Sequence, residues 1–542
     1  MKPFCSLLFL FFVVCTVAFA QPDLKHSFFI SKKFCHPKDT LTTSGRLYRR
    51  AFTTKSNEMF GVGQVSRAGR AIDAIFIKFN QQMDTVWTKY FGGTDNDELQ
   101  FIRELPNGNL LLAGTTSSND GDVWYGHTYS AQEIWMVEVT TQGQIIKGKT
   151  FGGGNGSMIQ DLDIGPDGMI YMAGMTNAAD YDFTHPSFGF LNADVWFAKY
   201  DTAFTKQWIR VLSGDDEENF AQLKWLSANK LAVSYYTVST NAEMLGSQAL
   251  GQMDNMFHIL DSNGIDIVKK RYGTSRWDNP VKLQCDTANQ VFYISGYVDT
   301  AENELTYMTS LNYLPQNRMD NMFTYKIDSS GHIHYGKAYG PIYQGWPEGV
   351  CVLWDALFFK KHMYIIGEIN GSGGDVELNI SPKLTNTWIG KIDSNCNLVA
   401  SYTVNGRGQE YPWSLFVNDH KIGCIVISTD SNHNLKCGKD NFIHIMMTLD
   451  ESPLSVSQTD KTSLAAKIYP NPAKNEIQIE LADDWAQGST KIQVYEVNGD
   501  RIYKGTIKGN HYHINTGAWP PGMYYVEMTK GSQKVIQKMI KL

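Results

Sequence analysis

The stretch Asp73-Ala-Ile-Phe-Ile-Lys-Phe79 decides how this chain folds, because it returns. An acidic or amide residue followed by a short aromatic-aliphatic run recurs at Glu133 (EIWMVEV), Asp194 (DVWFAKY), Asp254 (DNMFHIL), Asp320 (DNMFTYKI), Asn386 (NTWIGKI) and Asp440 (DNFIHIM). Seven copies at a spacing of roughly sixty residues are the signature of stacked supersecondary units, each of which buries its faces only against its neighbours. Function in such an array is expected in the loops and the central channel.

The other elements of the unit keep a fixed order. A second strand ends in Phe91-Gly92-Gly93, Phe151-Gly152-Gly153, Ser213-Gly214, Tyr272-Gly273, Tyr339-Gly340 or Asn405-Gly406, and in five of these six a carboxylate follows: Asp97, Glu218, Asp278, Glu348 and Glu410. A third strand comes next, then a turn such as Pro106-Asn107-Gly108 or Pro166-Asp167-Gly168, and a closing strand such as NLLLAG (to Gly114) or VFYISG (to Gly296). Asn-Gly and Asp-Gly between apolar runs signal hairpins. Four antiparallel strands, apolar on both faces, describe a propeller blade.

The chain ends set the count. The copy at Asp440 has its first strand but no closing one, whereas NEMFGVG, ending at Gly63, is a closing strand without a first. Residues from roughly Thr40 to Gly63 are therefore expected to complete a blade begun at Asp440, leaving no open edge. That reading favours seven blades, or six if the N-terminal strands pack elsewhere. The recurrent Asp is expected to hold a turn and the recurrent Trp and Phe to fill the space between blades. The carboxylates after the glycine pairs satisfy loop amides one blade at a time or crowd one end of a channel.

Met1-Lys2, an apolar run from Leu7 to Val14 and Ala18-Phe19-Ala20 before Gln21 form a secretory signal peptide with an A-x-A cleavage site. No other segment reaches the ~20 apolar residues that span a bilayer. The domain reading is thus a signal peptide over 1–20, a propeller over 21–450, a polar Ser/Thr-rich linker over 451–462 and a C-terminal module over 463–542. The aromatic share of 13% and the 47 glycines suit an all-β exported protein. The net charge is −7, and with 11 Lys/Arg against 7 Asp/Glu from Lys461 onward the body carries the negative charge, which excludes nucleic acid as partner. Six cysteines follow the signal peptide, allowing 15 full pairings; Cys424–Cys437 or Cys396–Cys437 is expected to lie close, since all three fall in or beside the last complete unit.

The module after the linker has its own strand pattern: KIQVYEV, the turn Asn498-Gly499-Asp500, RIYKGTI, then Pro520-Pro521-Gly522 before MYYVEM. It reads as a small antiparallel sandwich. The run Ile468-Tyr469-Pro470-Asn471-Pro472-Ala473, the hairpin around Gly499, the strand from Gly522 and the basic tail with Lys538 and Lys541 resemble the type A C-terminal sorting domain of the Bacteroidota type IX secretion system. That resemblance implies passage across the outer membrane through that machinery, then retention at the cell surface or release. The repeats also resemble propeller-like repeats of secreted proteins from that group, which implies architecture and location but no activity. Asp-Thr stretches there resemble an O-glycosylation sequon, which would place glycans on Thr40, Thr85, Thr202, Thr287 and Thr300.

Chemistry is sparse. Asn119-Asp120-Gly121-Asp122, with Asp180 and Asp182 one unit on, offers the oxygen ligands calcium takes but lacks the EF-hand order; a plain Asx turn competes. The pairs His332/His334 and His511/His513 share a strand face without a nearby third ligand. No nucleophile elbow, zinc-protease helix or P-loop is present. No catalytic residue, metal or other cofactor is expected. The leading reading is a non-enzymatic binding or adhesion module for a glycan or protein. The rival is a polysaccharide hydrolase or lyase using Asp97, Glu218 or Glu348 at the channel mouth; a third is a structural scaffold of a surface complex.

Overall fold

The computed structural model describes residues 26–35, 44–66, 71–81, 83–123, 131–183, 193–240, 249–298, 321–341, 350–371, 375–376, 384–404, 409–418, 421–428, 443–451, 466–482, 485, 488–496, 501–530 and 533–542. It is all-β. Five four-stranded antiparallel meanders begin at Ser44–Thr53, Asp97–Glu104, Ser157–Ile164, Glu218–Ser227 and Asp278–Asp286. An eight-stranded sheet holds two more such units, one begun by Cys351–Phe359 and one by Glu410–Asn418, joined by the parallel pairs His26↔Ala400 and Ser27↔Ser401.

The recurrent motif forms the third strand of each meander, and its burial explains its composition. EIWMVEV, DNMFHIL and NTWIGKI are buried along their whole length. A strand covered on both faces has no solvent side to mark with polar residues, so it reads as a continuous apolar run. Trp135, Trp196 and Trp388 are among the largest fully buried side chains. The first strand of each meander packs against the first strand of the next, and Glu410–Asn418 packs against Ser44–Thr53, so the succession returns on itself. Phe416 and Ile425 share a core with Ala51, Met59, Val65, Ile75 and Ile77 at that junction, and the Thr53 hydroxyl donates to the Val417 carbonyl across it.

The strands that close the ring are not those expected. Met59–Ser66 pairs with Ile72–Phe79 (Gly63↔Ile75) and with Ser44–Thr53, so residues 44–63 belong to the meander of Asp73. The last unit is completed by His26–Cys35, antiparallel to Ile443–Glu451 (Phe34↔Met446). Asp440 lies outside the described residues. The cause is a phase shift: the sequence repeat starts at the motif strand, whereas each sheet starts two strands earlier. The completing segment, HSFFISKKFC, carries two lysines and does not resemble the motif.

The C-terminal module is a separate sandwich. Ala466–Tyr469, Glu476–Leu481 and His511–Asn515 form one sheet; Arg501–Lys508, Ser489–Glu496, Gly522–Lys530 and Gln533–Lys541 form the other. Ile477, Ile479, Ile492, Val494, Val526 and Met528 fill its core. Among the described residues no helix is long and apolar enough to cross a membrane. Cys285, Cys351, Cys396 and Cys424 form no disulfide with one another, and Cys437 lies outside the described residues.

Candidate functional site

The described carboxylates after the glycine pairs, Asp97, Glu218, Asp278 and Glu410, each open an innermost strand and are buried. Asp97 accepts the Gly93 amide at 2.8 Å, the Ser118 hydroxyl at 2.9 Å and the Thr116 hydroxyl at 2.5 Å. Glu218 accepts the Gly214 amide at 2.9 Å and the Thr237 hydroxyl at 2.7 Å. Asp278 accepts the amide and hydroxyl of Thr274 at 2.6 and 2.8 Å. Each group serves its own loop with neutral donors. Burial outweighs these bonds, raising Asp97 above the usual carboxylate range and Glu218 to about 7. Cys351 takes the corresponding register place in the sixth unit, and Glu348 lies outside the described residues.

The Asx loops clasp the same turns. Asp120 accepts the Thr94 amide at 2.8 Å and Asp122 the Gly92 amide at 3.3 Å; Asp180 and Asp182 repeat this with Gly154 and Gly152 at 2.8 and 3.2 Å. The Phe-Gly-Gly signature follows from that clasp, since a Cβ on Gly93 would lie 2.1 Å from the Asp120 Oδ1. His334 pairs with Asp328 at 3.0 Å and His513 with Glu476 at 2.7 Å. Among the described residues no three His, Cys, Asp or Glu side chains gather as a metal would need.

Two features lie where ligands can reach. The first is the rim at the loop end of the innermost strands. Met158, Phe220, Trp354 and Trp413 fall within the first four residues of their strands, and Trp277 directly precedes Asp278. Trp277 is 48% exposed, and Phe220 and Met158 37% each. The rings of Trp354 and Trp413 stand 5.5 Å apart, those of Phe220 and Tyr236 5.6 Å. Beside Met158 opens a cavity of about 520 Å³ lined by Gln132, Asn155, Ser157, Met175 and Asn177 among others.

The second is the central channel, expected from the repeat, but lined by residues that no sequence motif singled out. Every innermost strand carries a register shift near its start, and the first paired residues after it form one column around the axis: Arg50, Phe101, Asp161, Gln222, Lys282, Asp355 and Ser414. Two residues on come Phe52, Arg103, Asp163, Lys224, Gln284, Leu357 and Phe416. Most of these line a cavity of about 260 Å³. Asp161 pairs with Lys224 at 3.1 Å and accepts the Leu223 amide of the next unit at 3.1 Å. Asp355 likewise accepts the Leu415 amide at 2.8 Å, with the Lys282 ammonium 3.7 Å away. Burial raises the Asp161 carboxyl, but Lys224, Lys282, Arg103 and Arg50 together hold it at about 2. The signal available in the sequence was the variable column: charges at a strand position where another repeat has Phe101.

In the C-terminal module the predicted motif pins a loop to the final strand. Asn471 donates to the Lys538 carbonyl at 2.9 Å and accepts the Ile540 amide at 2.8 Å, flanked by cis peptides before Pro470 and Pro472. Tyr469 and Lys538 are exposed, whereas Lys541 is buried and donates to the Leu542 carbonyl at 2.6 Å. Gly522 opens the strand Gly522–Lys530. Gly499 lies outside the described residues, as do Ala18, Ala20, Gln21, Thr40 and Thr300; Thr85, Thr202 and Thr287 are exposed.

Residues 467–542 match the family described as secretion system C-terminal sorting domain. The chain is therefore a secreted or cell-surface protein sorted by the type IX machinery. No curated protein matches the chain. Among solved structures it is similar to hydrazine synthase of Kuenenia stuttgartiensis, at 13% identity over 73% of this chain and 94% of that one, TM-score 0.39. A puromycin hydrolase matches at 11% identity over 82% of this chain and 60% of that one, TM-score 0.42. The polysaccharide lyase Uly1 matches at 10% over 79% and 98%, TM-score 0.41. At these scores no activity transfers from any of them.

Proposed function

We propose that this is a seven-bladed propeller, exported by type IX secretion, that binds a glycan through the loop-end rim without transforming it. The observation that carries the reading is the rim: exposed Met158 borders a cavity lined by Gln132, Asn155 and Asn177, and Phe220 and Trp277 stand exposed at the same end of the next two innermost strands. Sugars offer apolar C–H faces and hydroxyl edges, which aromatic rings and carboxamides match, and 520 Å³ falls within the range of small-ligand pockets. Asp97 and Glu218, two of the three acids of the hydrolase reading, are buried and bonded to their own loops, which favours binding over cleavage.

A glycan array probed with the mature protein tests this. Binding that drops on Trp277→Ala and on Gln132→Ala, with the glycan recovered unchanged, supports it. Cleavage of any polysaccharide in an activity screen, or array binding indifferent to both substitutions, refutes it. Thr85, Thr202 and Thr287 are proposed as glycan acceptors, and unmodified peptides at all three in the secreted protein would end that proposal.

A further inference from the structure

The channel holds more cations than its carboxylates can occupy. Arg103 is matched by Asp163 at 3.4 Å and Lys224 by Asp161 at 3.1 Å. Lys282 is 9% exposed and lines the cavity, and its ammonium makes no hydrogen bond among the described residues; its one contact with a carboxylate there is Asp355 at 3.7 Å. Both oxygens of Asp355 already accept main-chain amides, Ala356 at 3.0 Å and Leu415 at 2.8 Å. The Arg50 side chain has no ion pair or hydrogen bond among the described residues; its guanidinium rests on the Phe101 ring at 4.7 Å. A buried ammonium without hydrogen-bond acceptors is costly unless an anion supplies them.

We propose that the centre of the channel is a binding site for one small oxyanion, a carboxylate, sulfate or phosphate group, held between Arg50 and Lys282. Gln284 lines the same cavity; its amide oxygen accepts the Phe358 amide at 3.3 Å, which leaves its NH₂ to donate to a remaining oxygen of the anion. The volume of about 260 Å³ suits a free anion or one acidic sugar residue and is too small for a polymer segment. Burial, and next Arg50, lower the Lys282 ammonium to about 8. Affinity is therefore greatest below that pH and declines as pH rises through it. The site is distinct from the rim and does not depend on what the rim binds.

Titration of the full mature chain with sulfate, phosphate, glucuronate and neutral glucose, at constant ionic strength in chloride, tests the assignment by calorimetry and thermal shift. Saturable one-site binding of sulfate, phosphate or glucuronate but not glucose is expected. It should weaken about tenfold or more in Lys282→Met and in Arg50→Gln. Arg50→Gln breaks no ion pair or side-chain hydrogen bond, only the ring contact and the long-range effect of its charge, and is the control if Lys282→Met misfolds. Sulfate or phosphate alone would mark a free inorganic ion as occupant, and glucuronate alone a sugar acid. Absence of binding in every arm, or equal affinity in Arg50→Gln and wild type, overturns the proposal. Trp277→Ala should leave anion affinity unchanged, which separates this site from the rim.

Discussion

Two sets of buried carboxylates sit on different innermost strands, one at the first residue and one four residues further in, and their surroundings push them in opposite directions. Asp97 and Glu218, at the loop end, are bonded by neutral amides and hydroxyls of their own unit, and burial drives them toward the protonated form. Asp161, four residues into its strand, meets Lys224 and the Leu223 amide of the next unit and stays ionised at about 2. The first set shapes a loop within one unit. The second ties one unit to its neighbour. Which task a buried acid performs here is decided by whether its partners carry charge.

The sharpest way to break this contrast is Asp161→Asn. It leaves Lys224 without its partner and should cost the propeller roughly 3 kcal/mol in chemical denaturation. A loss near zero would show that the channel pairs do not hold the ring. Glu218→Gln tests the other side. Glu218 is fully buried and its folded value, about 7, exceeds the usual 4.5, so the folded state binds the extra proton. Its contribution is fully favourable below pH 4.5 and is lost as pH rises through 7. Stability of the wild type should fall across that window by an amount on the order of 3 kcal/mol that the Gln variant lacks. Equal slopes for the two proteins would contradict the assignment.

A smaller effect is expected from Gly93→Ala, whose methyl would press on Asp120 and push the clasped loops apart, at about 1–3 kcal/mol. Thermal unfolding would register it; an unchanged midpoint would mean that the clasp yields freely. Trp277→Ala should change stability least, within about 0.5 kcal/mol, because the ring is half exposed. A large loss there would make the rim tryptophan a packing residue.

Much of the ring was legible because its motif strands are covered on both faces. EIWMVEV cannot be a half-solvated strand, and Pro106-Asn107-Gly108 can hardly be anything but a hairpin turn. The phase was not legible. A cyclic repeat looks the same from any starting strand, and the partner of Ile443–Glu451 is more than four hundred residues away, in a segment whose lysines disguise it. The loop-end acids allowed two outcomes, and Asp97, Glu218 and Asp278 serve their own loops. The channel lining escaped because it is assembled from one residue per unit, and no local window contains two of them. Only superposing the repeats brings Arg50, Asp161, Lys282 and Asp355 into one column.

That column has a further consequence. The register shift ahead of it sets the backbone, and the ladder of main-chain bonds on either side holds the strand whatever side chain follows. The seven positions accordingly accept a guanidinium, a ring, carboxylates, a carboxamide, an ammonium and a hydroxyl on one scaffold. Ligand preference in such a molecule can change by single-residue steps while the architecture stays constant, so related rings are free to diverge in what they hold long before they diverge in shape.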